Sequence, residues 1–177
     1  KQSIGRIDVI KMSSQFNSSL FLKSDSTIST RGMNEYGQGN VPKGFIDVVK
    51  IDLGYKTVVA LKKDSSLTAW GIGDSSLNDL PYSSYEKYID IEVGSYHGYA
   101  FRSNGYPVGW GAGNTFYTDK RNMLPVLMDW DLISVGQGIQ ENFTVGFNPN
   151  YMLSTWGSNK ENQLNYPLGL GRNIKQL

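Results

Sequence analysis

The feature that most constrains this chain is a set of landmarks that recurs along it in one register. Three segments end alike: Val49-Lys50-Ile51-Asp52-Leu53-Gly54, Ile89-Asp90-Ile91-Glu92-Val93-Gly94 and Asp131-Leu132-Ile133-Ser134-Val135-Gly136. Each alternates its side chains in the manner of a strand and stops at Gly. A fourth, Ile10-Lys11-Met12-Ser13-Ser14-Gln15, keeps the alternation and ends on Gln. A Trp-Gly pair follows at Trp70-Gly71, Trp110-Gly111 and Trp156-Gly157, with Arg31-Gly32 in the first copy. From the strand-ending residue to this landmark the spacing is 16 positions in three copies and 20 in the fourth. A Pro then follows after 11 positions at Pro42, Pro81 and Pro167, and after 15 at Pro125. Self-similarity at a period of about forty residues is the signature of a repeat architecture. The 177 residues therefore read as a single repeat domain with approximate copies 1–44, 45–87, 88–129 and 130–177.

Between Gly and Trp each copy carries a second alternating run and a turn, as in the stretch from Val58 to Trp70, which reads as a hairpin. Its turn is Asp64-Ser65, and equivalent turns are expected at Asp25-Ser26, Asn104-Gly105 and Asn148-Pro149-Asn150, all residues that tolerate tight-turn dihedrals. Val, Ile, Thr, Tyr and Phe dominate the runs, and no long window shows a sustained 3.6-residue apolar period, so the chain is expected to be all-β with little helix. A three- or four-stranded unit of this size cannot bury its own faces and must stack on its neighbours. Radial stacking gives a propeller and linear stacking a solenoid.

The order of Gly, aliphatic strand, Asp/Asn turn and Trp-Gly followed by Asn and Gln resembles the regulator-of-chromosome-condensation repeat. The best matches are Gly94-Ser95-Tyr96-His97, Leu61-Lys62-Lys63-Asp64, the segment Gly32 to Gly39 and the segment Trp156 to Leu164. The resemblance implies a β-propeller, here of about four blades or an arc of a larger ring. It departs from the pattern at Gln15 and Arg31, and in expansions before Pro125 and before Trp156. It also implies functions of different classes: a protein-binding module, a guanine-nucleotide exchange factor for a small GTPase, or a proteinaceous enzyme inhibitor. Fold alone does not choose among them.

Charge and composition narrow the choice. With 17 basic and 16 acidic residues the chain offers no field for nucleic acid, and no apolar run is long enough for a spanning helix. Absence of Cys removes disulfides and thiolate chemistry, a single His leaves little for acid–base catalysis, and no cofactor or metal site is expected. The chain opens on Lys1-Gln2-Ser3, without a signal-peptide pattern or a starting Met, as expected of a processed product or a piece of something longer. Its Asn-, Ser-, Tyr- and Lys-rich composition leans toward a phage or bacterial protein acting outside the cell or on a virion surface. Self-association, or further sequence completing a ring, is the other association to expect.

In an antiparallel blade with strands A to D, the A–B and C–D loops leave on one face and the B–C turns on the other. The first face gathers Phe16, Tyr36, Tyr55, Tyr96, Phe116 and Tyr117 among Asn, Ser and Lys. Amphipathic aromatics with adaptable polar neighbours suit a protein-binding surface. The candidate contact residues are Tyr55, Tyr96, His97, Phe116 and Tyr117. His97 also matches a frequent His of the repeat, for which a structural hydrogen bond is the simpler role. The recurring Trp residues are expected to pack between blades. Gly71-Ile72-Gly73 and Gly111-Ala112-Gly113 open no helix and so are not read as phosphate loops. Asp74, Asp79, Asp119 and Glu161 are expected to be solvated, and the run Tyr82 to Tyr88 to connect two blades.

Overall fold

A computed structural model describes residues 8–71, 79–81, 87–111, 132–136, 143–147 and 153–157, with Asn162 and Asn165. These residues contain strands and no helix, and the strands come in threes. Blade 1 comprises β1 (Val9–Gln15), β2 (Ser18–Lys23) and β3 (Ile28–Gly32). Blade 2 comprises β4 (Val48–Leu53), β5 (Thr57–Lys62) and β6 (Leu67–Gly71), and blade 3 comprises β7 (Tyr88–Val93), β8 (His97–Arg102) and β9 (Pro107–Gly111). Blade 4 comprises β10 (Leu132–Val135), β11 (Phe143–Phe147) and β12 (Leu153–Gly157). Each blade is an antiparallel meander, and its first strand packs beside that of the next: β1 by β4, β4 by β7, β7 by β10.

The pairing registers bring equivalent residues of the copies opposite one another in the same way. Leu53 faces Val58 across one hairpin, Val93 faces Gly98 across the next, and Val135 faces Thr144 in the fourth. Gly136 donates to the Phe143 carbonyl as Gly54 does to Thr57, so the expansion of the fourth copy falls between Gly136 and Phe143. The three expected B–C turns that are described share one geometry. Ser26, Ser65 and Gly105 take positive φ, while Asp25, Asp64 and Asn104 accept the N–H two residues on. The turn expected at 148–150 lies outside the described residues.

Blade-to-blade contact forms the core. Val48, Ile51 and Leu53 of β4, Val58 and Ala60 of β5 and Trp70 of β6 bury themselves against Leu20 and Leu22 of blade 1. One blade on, Tyr88, Ile91, Val93, Ala100 and Trp110 do the same against Val59 and Leu61. Alternate residues of β5 thus face opposite neighbours, which is why β5 is apolar along nearly its whole length. The Trp side chains at these positions are packing residues: Trp110 is 5% exposed, and Trp70 donates its indole N–H to the Gln38 carbonyl at 3.0 Å. Tyr88, read from sequence as part of a connection, is instead the buried first residue of β7.

Blade 1 presents different residues at the same positions on its free side. Ser14, Ser19 and Arg31 stand where blade 2 has Leu53, Val58 and Trp70, and Met12 is 70% exposed where Ile51 is 3% exposed. No described blade covers that side. Arg31 is exposed there, where Trp70 and Trp110 at the equivalent positions are buried between blades.

The Gly after each Trp has a different reason. Gly71 takes φ +105 and Gly111 φ +108, and a Cβ there would run into the carbonyl oxygens of Lys56 and Tyr96. No residue with a side chain fits this turn beneath the A–B loop.

Substituting Trp110 by Ala should cost about 3–5 kcal/mol in denaturant unfolding, whereas Arg31→Ala should stay within about 0.5 kcal/mol. Equal effects would show that the two positions are not distinguished by blade packing.

Candidate partner-binding face

The A–B hairpins of blades 1 to 3 end on the face where the chain also leaves β3. In blade 1 the corner is Phe16-Asn17, with φ +41 and +60, the two-residue turn that needs positive φ at both positions. Such a backbone disfavours a bulky residue by about 1–3 kcal/mol. The Phe16 ring is edge-on to Tyr55 of blade 2, with centroids 4.6 Å apart. Tyr55 lies 5.8 Å from Tyr96 of blade 3 and 6.2 Å from Tyr36, which follows β3. Lys56 places its ammonium 4.2 Å from the Tyr36 ring centroid and 4.9 Å from that of Tyr55. All five side chains are half-buried. The result is one strip of touching rings across three blades, held at the tightest corners of the fold.

Of the residues singled out from sequence, Tyr55 and Tyr96 come together in this strip. Phe116 and Tyr117 lie outside the described residues, as do Asp74, Asp119 and Glu161, while Asp79 is exposed. His97 departs from the surface assignment. Its side chain is 3% exposed, its Nε2 lies 3.1 Å from Thr144 Oγ1 of blade 4, and its ring stands edge-on to Tyr99. The first residue of β8 points into the joint between blades, so His97 takes the structural hydrogen-bonding role that the repeat implied. Lys56 was absent from the sequence-derived set. Its place beside Tyr55 in the loop was the available signal, but an interaction with two rings depends on Tyr36, twenty positions earlier.

A polar network below the strip was also missed. Ser13, Asp52, Glu92 and Ser134 occupy equivalent positions on the first strands. Ser13 donates to Asp52 Oδ1 at 2.7 Å and accepts the Leu53 N–H at 3.0 Å, while Val93 N–H donates to Asp52 Oδ2 at 2.7 Å. One carboxylate thus joins blades 1, 2 and 3. Burial pushes the Asp52 carboxyl above its ordinary value, and the donors from Ser13, Val93 and Leu53 pull it back. Lys50 reaches Asp90 at 2.6 Å and Glu92 at 2.9 Å. Burial opposes the Lys50 charge, yet the hydrogen bond to Asp90 and the charge of Glu92 outweigh it and raise its pKa above 10.5. Gln15, where the other copies have Gly, is buried and donates to Ser95 Oγ of blade 3 at 3.0 Å.

No protein-family model matches the chain, and no curated protein is a significant match. Solved structures do match. Prp20p from Saccharomyces cerevisiae superimposes with a TM-score of 0.70 at 15% identity, over 88% of this chain and 47% of that one. The ectodomain of the Arabidopsis thaliana receptor kinase ACR4 gives 0.68 at 16% identity, over 87% and 57%. The C-terminal domain of gp131 from bacteriophage phiKZ gives 0.54 at 11%, over 90% and 53%. The four sheets and these matches define an all-β propeller fold. It is the fold of the regulator-of-chromosome-condensation-like propellers, and the chain spans about half the length of the solved propellers it matches.

The Lys50 contribution has a definite sign. Because its folded pKa is raised, its stabilisation is complete below pH 10.5 and is lost as pH rises through the folded pKa. The stability difference between the parent and Lys50→Met, measured by urea unfolding, should therefore shrink above pH 10.5. A difference that stays constant would mean that Lys50 acts through packing alone.

Proposed function

We propose that this chain is a non-enzymatic protein-binding propeller module that engages its partner through the loops at the Phe16–Tyr55–Tyr96 corners. The observation that carries the reading is the strip itself. Half-buried aromatic rings already packed against one another lose little freedom on binding, and Tyr in particular offers contact area with a polar tip. The opposite face offers small polar turn residues, Asp25, Ser26, Asp64, Ser65, Asn104 and Gly105, whose side chains or backbones are occupied in shaping the turns. Phe116 and Tyr117, which lie outside the described residues, are included in this proposal from their position in the sequence alone.

Prp20p, which shares the fold, was solved in work on its binding to Gsp1p and histones. That example supports a binding role in general and leaves this chain's partner to be found. For the setting we favour attachment to, or capping of, a partner at a cell or virion surface. The Cys-free, Asn- and Tyr-rich sequence suits it, and a phage protein carries the same fold.

A partner captured on the immobilised chain and titrated by calorimetry tests the reading. Tyr55→Ala and Tyr96→Ala should each weaken binding by about 1–3 kcal/mol, with thermal melting checked in parallel, and Asp64→Ala should leave affinity unchanged. Losses confined to Asp64→Ala, or equal on both faces, would place the contact elsewhere.

A further inference from the structure

Lys56 differs from the other residues of the strip in carrying a charge, and its surroundings say what that charge is free to do. Among the described residues the ion pairs belong to Lys50 and Lys63, and none to Lys56. Glu35, next to Tyr36, is exposed and makes no ion pair with it. Instead the Lys56 ammonium rests over the faces of Tyr36 and Tyr55. Ring faces attract a cation but do not replace a carboxylate oxygen as hydrogen-bond acceptor, so the donors of the ammonium retain capacity for an anion. Two rings also restrict the lysine stem, which lowers the ordering cost that usually makes an exposed lysine a weak anchor.

The remaining corner residues, Phe16, Asn17, Tyr55, Ser95 and Tyr96, are uncharged. The row of rings from Phe16 through Tyr55 to Tyr96 spans at most about 10 Å from centroid to centroid. An extended polypeptide covers that length in about three residues at roughly 3.3 Å each. From this arrangement we infer that the segment seated on the strip is an extended acidic peptide, with a carboxylate on Lys56 and apolar or ring side chains on Phe16, Tyr55 and Tyr96. This rests on the aromatic face being the contact surface. Lys56 is then the specificity-determining residue, selecting Asp or Glu beside apolar neighbours.

A random twelve-residue peptide library displayed on phage, selected on the immobilised chain, tests both levels. Peptides are counter-selected on the Tyr55→Ala/Tyr96→Ala double variant, with folding of every variant checked by circular dichroism. Enriched peptides should share Asp or Glu within a few residues of Pro, aromatic or aliphatic residues. They should bind Lys56→Gln about tenfold more weakly and Lys56→Arg nearly as well as the parent. Enriched peptides without an acidic residue, or with unchanged affinity for Lys56→Gln, would overturn the carboxylate assignment and leave the contact face standing. No enrichment beyond peptides that the counter-selection removes would overturn the face and the assignment together.

Discussion

Everything in this fold depends on one blade burying the flank of the next. A three-stranded sheet of four- to seven-residue strands has two faces and too little material to cover either. Ile51 is sheltered because Leu20 and Leu22 belong to the preceding blade, and Ile91 because Val59 and Leu61 do. Burial at this scale contributes about 1.5–3 kcal/mol per large apolar side chain, so each joint outweighs any single hydrogen bond within a blade. Near the axis the same problem takes a polar form, since the first strand of a blade is a sheet edge with unpaired backbone N–H groups. Asp52 meets it by accepting the Val93 N–H of the following blade, and Ser13 does so for Leu53.

The joints also explain where the aromatic strip sits. Close approach of successive first strands brings the A–B corners to within ring contact. Gly54 permits this, because a Cβ there would lie 2.9 Å from the Gly94 carbonyl oxygen. The exit from each third strand then passes under the A–B loop at Gly71 or Gly111, and in blade 1 the Met33 N–H bonds to the Asn17 carbonyl at 2.8 Å. Loop residues that would otherwise wander are fixed at both ends. The scaffold thereby presents Tyr55 and Tyr96 side by side.

The repeat register made the strands, the hairpins and the inter-blade role of Trp70 and Trp110 legible before any coordinates. A residue that meets the same neighbour in each copy recurs at the same spacing, and recurrence is visible in one sequence. That Tyr55 and Tyr96 share a face was legible for the same reason, since loops of known order leave on one side, while their direct ring contact was not. What stayed hidden depends on contacts between copies that are not themselves repeated. The repeat pointed to a structural hydrogen bond for His97, whose equivalents Ser18 and Thr57 are also buried, but its particular partner, Thr144 of the next copy, could not be read from pattern. Nothing in the repeat pattern marks Asp52, and only the placement of the Val93 N–H forty-one positions later makes it a joint. Tyr88 was grouped with the tyrosines before it because nothing in sequence marks where a connection ends and a strand begins.

The flank of blade 1 has a consequence for how such a chain is made. Leu20 and Leu22 point toward blade 2, while the other side of the same sheet carries Ser14, Ser19 and Arg31. On a ribosome, the residues of blade 1 emerge before the partners that shelter them, and Ile51 and Trp70 arrive some tens of residues later. At about 5–20 residues per second the exposed interval lasts on the order of seconds. During it the side bearing Leu20 and Leu22 waits for blade 2, while the opposite side carries Ser14, Ser19, Arg31 and Met12. The delay therefore falls on the flank that the next repeat is about to cover.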